Sequence, residues 1–509
     1  MWRRGGKSIV LVVVVVLAGC SGVPVLDTPS VDSSGGASPT TDPVAGPTVE
    51  PGVDVPQTDM VADHPDPPSD RLGWENGYWH NETIPVDPED GYNESELDAI
   101  LARSMARVEY VRGIEFEENV TVDVITREEY RERIADRGSN ITDNQRLHQE
   151  VKFEATFFMG ENESALRQRE ANAGSNVLGF YSSANESITI VSDDSTVSRI
   201  DEMTLAHELV HALQDSRFNI SDYEQNTEER HNAIDGIVEG DAKYVEFRYG
   251  KLCEAGWECL AESQSQSGGD DDAPTPHLGL LALQLQPYSD GPVFVHHLYQ
   301  ENGWEGVNAA YDDPPASTEQ TIHPEKYGVD EPTNVTIDDR SDPDWYVPDQ
   351  GEGHIDYAQF GEAGLYVMLW YPSGVRGDVV ISSEHFLGPS RSGGLDLYNY
   401  SHPYTAGWDG DKLLPYVRND SAETNQTGYV WRSTWDSRDD AKEFREGYLK
   451  LLRHHGAEDV RDRPDTYRIP SGPFADAFYV EQTGNNVTIV NAPTVEELGA
   501  VRAGAGEST

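Results

Sequence analysis

Basic residues are scarce in this chain: 37 lysines and arginines stand against 91 aspartates and glutamates, a formal charge of −54 over 509 residues. No basic stripe runs along any segment, and a nucleic-acid surface needs one to neutralise phosphates, so nucleic acid is excluded as a partner. The acid is spread through every segment and lysine is scarce beside arginine. That pattern suits a halophilic protein hydrated in molar salt, where screening to about 3 Å tolerates self-repulsion. The alternative is that the charge attracts cationic or calcium-bearing partners. Cysteine is rarer still, with three residues. One long apolar run exists, Ile9 to Leu17, and it is too short to span a bilayer, which takes roughly 20 residues. No repeat at a solenoid period is present.

The apolar run follows the short basic segment Met1 to Lys7 and ends in Leu17-Ala18-Gly19-Cys20. This is the pattern of a signal peptide, residues 1–19, with a lipobox that places a lipid on Cys20 and anchors the chain outside the cytoplasm. Arg3 and Arg4 suggest twin-arginine export. Residues 20–69 are Pro, Gly, Ser, Thr, Asp and Val with almost no aromatic side chain. Such a stretch cannot bury enough apolar surface to offset its ordering entropy, and is expected to be a disordered tether. Twelve Asn-x-Ser/Thr sequons, from Asn81 to Asn486, fit a glycoprotein of the cell exterior. With Cys20 lipidated, Cys253 and Cys259 remain, close enough in sequence for a small-loop disulfide.

The stretch Thr204 to Asp215 carries the chemistry: T-L-A-H-E-L-V-H-A-L-Q-D. On a helix His207 and His211, four apart, share one face and can both give an imidazole nitrogen to one ion. Glu208 stands beside them, where a glutamate takes a proton from water attacking a carbonyl. The flanking Leu205, Ala206, Leu209, Val210, Ala212 and Leu213 make this a buried helix. Buried polar groups need partners, and a Zn²⁺ ion supplies one. A third ligand is required. On the next helix Glu239 is the first choice, with Gly240 beside it permitting close helix approach, and Glu246 and His231 are the alternatives. Asp235 or Asp241 could accept the far N–H of a ligand histidine. The bland reading is a solvated acidic face.

Taken with the V-E-G-D-A that follows at Val238 to Ala242, this motif resembles the gluzincin group of zinc peptidases. It is closer still to a family of bacterial and haloarchaeal surface proteins with an H-E-L-x-H-A-L-Q-D signature. Gly179-Phe180-Tyr181, Ser317 to Tyr327 and Ala406 to Asp411 extend the likeness. The resemblance implies a zincin-like fold in which His207, His211 and Glu239 match the ligands and Glu208 the base. It departs at Lys243, where many gluzincins carry an aspartate.

Around the motif, helices are expected at Glu96 to Arg112, Arg127 to Arg137, Leu278 to Gln284 and Pro292 to Asn302, with another from Gly303. Strands are expected at Asn119 to Thr126, Val177 to Tyr181 and Ser187 to Val191, the last either as the sheet edge that lays out an extended substrate or, with at least equal weight, as an ordinary core strand. The acidic, Ser/Gly-rich stretch Glu262 to Thr275 is expected to be a loop. His323 or Tyr327 would donate to a developing oxyanion, with His296 and His297 weaker choices, or they would only cap and pack. Toward the end, Tyr429 to Trp435, Asp439 to His454, Ala475 to Gln482, Asn486 to Val490 and Val495 to Val501 read as β-α-β-β-α. The expected fold is therefore α+β: a zincin-like metallopeptidase domain over 70–330 with a mainly helical lower half, and an α+β region over 331–509. The expected function is a lipid-anchored, extracytoplasmic zinc metalloendopeptidase acting on proteins or peptides. The rivals are a surface binding or structural protein that keeps the fold, and a latent peptidase.

Overall fold

The computed structural model describes residues 65–86, 91–138, 141–192, 201–260, 276–377, 379–388, 394–418 and 426–508. The signal peptide, Cys20 and nearly all of the tether lie outside the described residues, as does the expected loop at 262–275. No helix among the described residues is long and apolar enough to cross a membrane.

The chain opens with a hairpin of β1 (Trp74–Glu75) and β2 (Tyr78–Trp79), then α1 (Glu94–Arg112). Asn93 starts α1 by accepting from the amides of Ser95 and Glu96, while Glu96 returns a carboxylate to the Asn93 amide at 2.9 Å, so two otherwise orphaned donors are met. There follow β3 (Thr121–Thr126), α2 (Arg127–Gly138), α3 (Asp143–Ala155), α4 (Ala165–Asn176), β4 (Gly179–Ser182) and β5 (Ser187–Ser192). These strands form one sheet in the order β3-β5-β4, with β3 parallel and β4 antiparallel to β5. The strand at Ser187 is therefore central, which is the core-strand alternative and rules out the edge. Ile188, Thr189 and Val191 are all buried, so both faces of β5 are covered, as a central strand requires. The edge strands are β3 and β4.

Next come the long helices α5 (Glu202–Phe218), α6 (Glu228–Ala255) and α7 (Leu278–Asp312), and the short α8 (Thr318–Ile322). Where three helices were expected, α7 continues through Pro287 and Pro292 and breaks only at Asn302 and Gly303, the latter at φ 62°. After β6 (Trp345–Tyr346), α9 (Gly361–Arg376) and α10 (Ser383–Phe386) come β7 (Trp408–Arg418), β8 (Thr427–Trp435) and α11 (Arg438–His454). The chain ends in β9 (Glu458–Asp459), β10 (Thr466–Arg468), β11 (Ala477–Thr483), β12 (Asn486–Ala492) and α12 (Leu498–Val501). Seven strands form an antiparallel sheet, β6-β7-β8-β12-β11-β10-β9. The β-α-β-β-α pattern is its centre. α11 lays Phe444, Tyr448, Leu451 and Leu452 on one face at three- and four-residue spacing, and these side chains belong to the same core as Phe478, Val480 and Ile489 of the sheet. The whole is α+β.

One apolar core runs from Val151 and Phe153 on α3, through Leu280 on α7 and Leu365 to Trp370 on α9, to Trp431 and Phe478 on the large sheet. It crosses residue 330. A second core joins α1, α5 and α6, and a third joins α6 to α7. The α6–α7 crossing is set by glycine: a Cβ on Gly240 would stand 2.5 Å from the Gly291 carbonyl carbon and oxygen, inside van der Waals contact. We predict that Gly240→Ala forces these helices apart and lowers unfolding stability by about 1–3 kcal/mol, read from denaturant midpoints at unchanged slope.

Candidate metal centre

Helix α5 is held at its start. Asp201 caps it by accepting from the amides of Met203 at 2.8 Å and Thr204 at 3.2 Å. Glu202, at the positive end of the helix dipole, is buried and accepts from Arg103, from Arg107 at 2.6 Å, from the Tyr249 hydroxyl at 2.6 Å and from the Leu260 amide at 2.6 Å. α6 is fixed similarly. Arg112 of α1 donates to Asp241 at 2.9 Å and the Tyr311 hydroxyl to the same carboxylate at 2.7 Å.

Between these anchors, α5 and α6 bring three donors together. His207 Nε2 and His211 Nε2 lie 3.2 Å apart, and Glu239 Oε2 is 3.2 Å from the first and 3.4 Å from the second. All three donor atoms fall within 4.8 Å of one another. Two imidazole nitrogens and a carboxylate oxygen are a donor set that can hold one tetrahedral ion with a position left over. The outward nitrogens of both rings are spoken for, which turns the Nε2 atoms inward. His207 Nδ1 pairs with Glu246 Oε2 at 3.1 Å and His211 Nδ1 with Gln214 Oε1 at 2.8 Å, while Gln214 donates to the Val238 carbonyl at 2.8 Å. Burial opposes charge on both histidines, but Glu239, joined at His207 by Glu246, outweighs it and raises both. Burial likewise opposes charge on Glu246, yet Lys243, at 2.8 Å, and His207 hold it down at about 2.

Glu208 occupies the remaining side. Burial lifts its carboxyl to about 8, and neither oxygen has a well-formed hydrogen bond among the described residues, though the Tyr181 amide faces it and pulls slightly the other way. Gly179 of the edge strand β4 lies against it, close enough that a Cβ there would be 3.4 Å from Glu208. From α7, Tyr288 stacks on His207 with ring centroids 6.3 Å apart, and its hydroxyl bonds Glu239. His207, Glu208, His211 and Glu239 are each at most 1% exposed.

Of the residues singled out by sequence, His207, Glu208, His211 and Glu239 are thus gathered, and others are not. Glu246 pairs with the outer nitrogen of His207 and lies outside the group of three gathered donors. His231 is exposed and bonds Gln225 at 2.6 Å and Asp235 at 3.3 Å. Asp241 anchors Arg112, and neither it nor Asp235 is the acceptor for a cluster histidine. His323 sits 3.2 Å from Glu362 of α9, and the Tyr327 hydroxyl donates to the Asp313 carbonyl at 2.6 Å, so neither hydroxyl nor imidazole is bonded into the cluster. His296 pairs with the Tyr244 hydroxyl at 3.1 Å and His297 with Glu301 at 3.7 Å. Cys253 and Cys259 are bonded, with Cα atoms 5.7 Å apart. Gln214, three residues after His211, carries a helical-spacing signal that sequence could have yielded. Tyr288 carries none, since it stands between two prolines.

Two outcomes are expected. Glu246→Gln weakens metal binding by about 10- to 100-fold, checked by competition with a chromophoric chelator. For His323, burial favours the neutral ring, but Glu362 prevails and holds it up at about 9. A raised histidine stabilises the fold below its unfolded value near 6.5 and loses that contribution as pH rises through about 9. Unfolding curves of the wild type should fall toward those of His323→Gln across that window.

Residues 348–502 are similar to a family described as "Domain of unknown function (DUF8575)", a match over less than a third of the chain and wholly C-terminal to the His/Glu cluster. No curated protein and no solved structure matches the chain.

Proposed function

We propose that the chain is a zinc-dependent metallopeptidase of gluzincin type, lipid-anchored through Cys20 on the outer side of the membrane and hydrolysing peptide bonds of proteins or peptides. The observation that carries this reading is Glu208: a fully buried carboxylate, short of partners, one residue from His207 and beside three donors suited to one ion. A site that only stabilised the fold would have no use for it, and leaving it there costs several kcal/mol.

Zn²⁺ at this cluster would polarise the scissile carbonyl and lower the pKa of water toward neutrality. Glu208 then accepts the proton of the attacking water on a carboxylate oxygen and delivers it to the leaving amine nitrogen. Glu246 and Gln214 keep both imidazoles in the tautomer that presents Nε2. Lys243, where the resemblance led one to expect an aspartate, acts through Glu246, which lies two helical turns beyond Glu239. We assign the oxyanion donor to Tyr288 in place of His323 or Tyr327, because its hydroxyl lies at the cluster beside Glu239, while the His323 imidazole is engaged by Glu362 and the Tyr327 hydroxyl by the Asp313 carbonyl. The zincin-like fold is part of this proposal, supported by the helix pair α5–α6 and by edge strand β4 beside Glu208.

The near-complete burial of the cluster favours a second reading, in which the same enzyme is held latent: a peptide must reach Glu208, and at 0% exposure none can. Cleavage of a peptide library in molar salt, wild type against Glu208→Gln, tests both. Turnover by the wild type alone, with metal content equal in the two, is the expected result. A Glu208→Gln protein that still cuts removes Glu208 from the mechanism. Silence from both, with the ion bound, shifts the assignment to the latent form or to a binding protein.

A further inference from the structure

We propose that Asp235, one helical turn before Glu239 on α6, receives a positively charged group of the substrate and so makes this a site for basic peptides. The inference deepens the peptidase reading and rests on it.

Helices α5 and α6 run antiparallel: His207 pairs with Glu246, His211 with Glu239, and Gln214 with the Val238 carbonyl. One turn beyond His211 on α5 comes Asp215, and one turn before Glu239 on α6 comes Asp235. Residues four apart share a helix face, so these aspartates form the next layer out from the cluster, toward the turn that joins the two helices. Exposure rises in that direction. His211 and Glu239 are each 1% exposed, whereas the side chain of Asp235 is 13% exposed and that of His231, a further turn on, 47%. Asp215 is likewise half-buried. Along this face solvent lies two turns from Glu239, and a substrate coming in meets Asp235 before it meets the ion site.

Charge sets what Asp235 can receive. Neighbouring acids are already met: Glu246 by Lys243 at 2.8 Å, and Asp215 by the Tyr181 hydroxyl at 3.2 Å. A divalent ion at the cluster would balance Glu239 and Glu208. Among the described residues Asp235 has only the exposed His231 imidazole, 3.3 Å from one of its oxygens, while its other oxygen is buried with no hydrogen-bond partner. Its charge reaches inward to the Tyr288 hydroxyl, and it answers in turn to Glu239 and His211. The same hydroxyl feels Glu208, so the proposed base, the oxyanion donor and Asp235 are near neighbours. A buried carboxylate oxygen short of a donor costs free energy, and an ammonium or guanidinium group supplies both the donor and the charge. That group is carried by a lysine or arginine side chain, or by the free amino terminus of a peptide.

The test uses the full-length Glu208→Gln protein loaded with Zn²⁺, in molar salt, so that binding is read apart from turnover. The probes are N-acetylated, C-terminally labelled hexapeptides with one lysine placed at each position in turn, the same set with norleucine, and the norleucine set with a free amino terminus. Fluorescence anisotropy gives their affinities. At least one lysine register, or the free amino terminus, is expected to bind about 10- to 100-fold tighter than its capped norleucine counterpart. Adding Asp235→Asn, with equal Zn²⁺ uptake showing an intact fold, brings the cationic peptides down to the level of the neutral ones. A preference for lysine assigns a basic side chain to Asp235, and a preference for the free amine assigns the first residue of the peptide. Peptides that bind alike whatever their charge, a failure of all of them to bind, or a preference that survives Asp235→Asn would each overturn the proposal. Wild-type turnover separates the two readings. Charge-selective binding with no turnover keeps the role of Asp235 and removes the peptidase, whereas turnover without charge preference does the reverse.

Discussion

The approach of α6 to α7 at Gly240 and Gly291 is the constraint on which the centre depends. Backbone meets backbone there, so the two helices lie closer than any side chain would allow. Because Glu239 precedes Gly240, and Tyr288 stands one helical turn before Pro292, the same contact sets how near the phenol comes to the carboxylate. A second close fit repeats the device one turn earlier. Gly236 accepts Thr321 of α8, where a Cβ would lie 2.5 Å from the threonine methyl. The helix that carries the candidate ligand Glu239 is thus located by two absent side chains, and its depth in the molecule follows from them.

Buried acids sort the rest of the molecule. Glu202 and Asp241 are met by arginines from α1, and Glu228 by Lys152 at 2.8 Å and by Arg169. Asp411 accepts from the amides of Phe360 and Gly361 and from the Trp431 indole, fastening the start of α9, and Glu229 does the same for α8 through the amide and hydroxyl of Thr318. Each arrangement offsets the cost of burial with donors that also tie two elements together. Glu208 stands outside this scheme. It is a buried carboxylate that no described donor serves well, and the scarcity of basic residues does not explain it, since these five carboxylates found partners. Where the acids around it are met so consistently, a buried carboxylate with both oxygens unmet marks a place kept for something else.

How much of this was legible follows from what each feature needs. The His207, Glu208 and His211 face, the buried character of α5 and the choice of Glu239 required only helical periodicity, and the β-α-β-β-α centre of the large sheet required only local pattern. Strand β7 was not foreseen, because Gly410, Asp411 and Pro415 give it the look of a turn region, and its pairing with β8 overrides that preference. Tyr288 was hidden because Pro287 and Pro292 read as breaks, whereas packing on α6 carries the helix through both. Glu246 was weighed as a ligand because sequence spacing cannot tell an inner from an outer carboxylate. The place of β5, edge or core, stayed open because its parallel partner β3 lies more than sixty residues earlier, and nothing local announces that pairing.

The long stretch after residue 330 bears on what the protein is. A stretch this long is more chain than the His/Glu cluster itself needs, which taken alone favours a binding role. In the fold it is not an appendage: α9 belongs to the same core as Leu280 of α7, and Gly361 at its start leaves room for the Glu229 carboxylate near the beginning of α6. Asp411 of β7 holds that start in place. A continuous line of contacts therefore runs from the large sheet, through α9 and Glu229, along α6 to Glu239. Removing the sheet would unseat α9, then the start of α6, and only afterward the His/Glu cluster. The extra chain is accounted for by support of the helix that carries Glu239, so its length no longer weighs for a separate binding role.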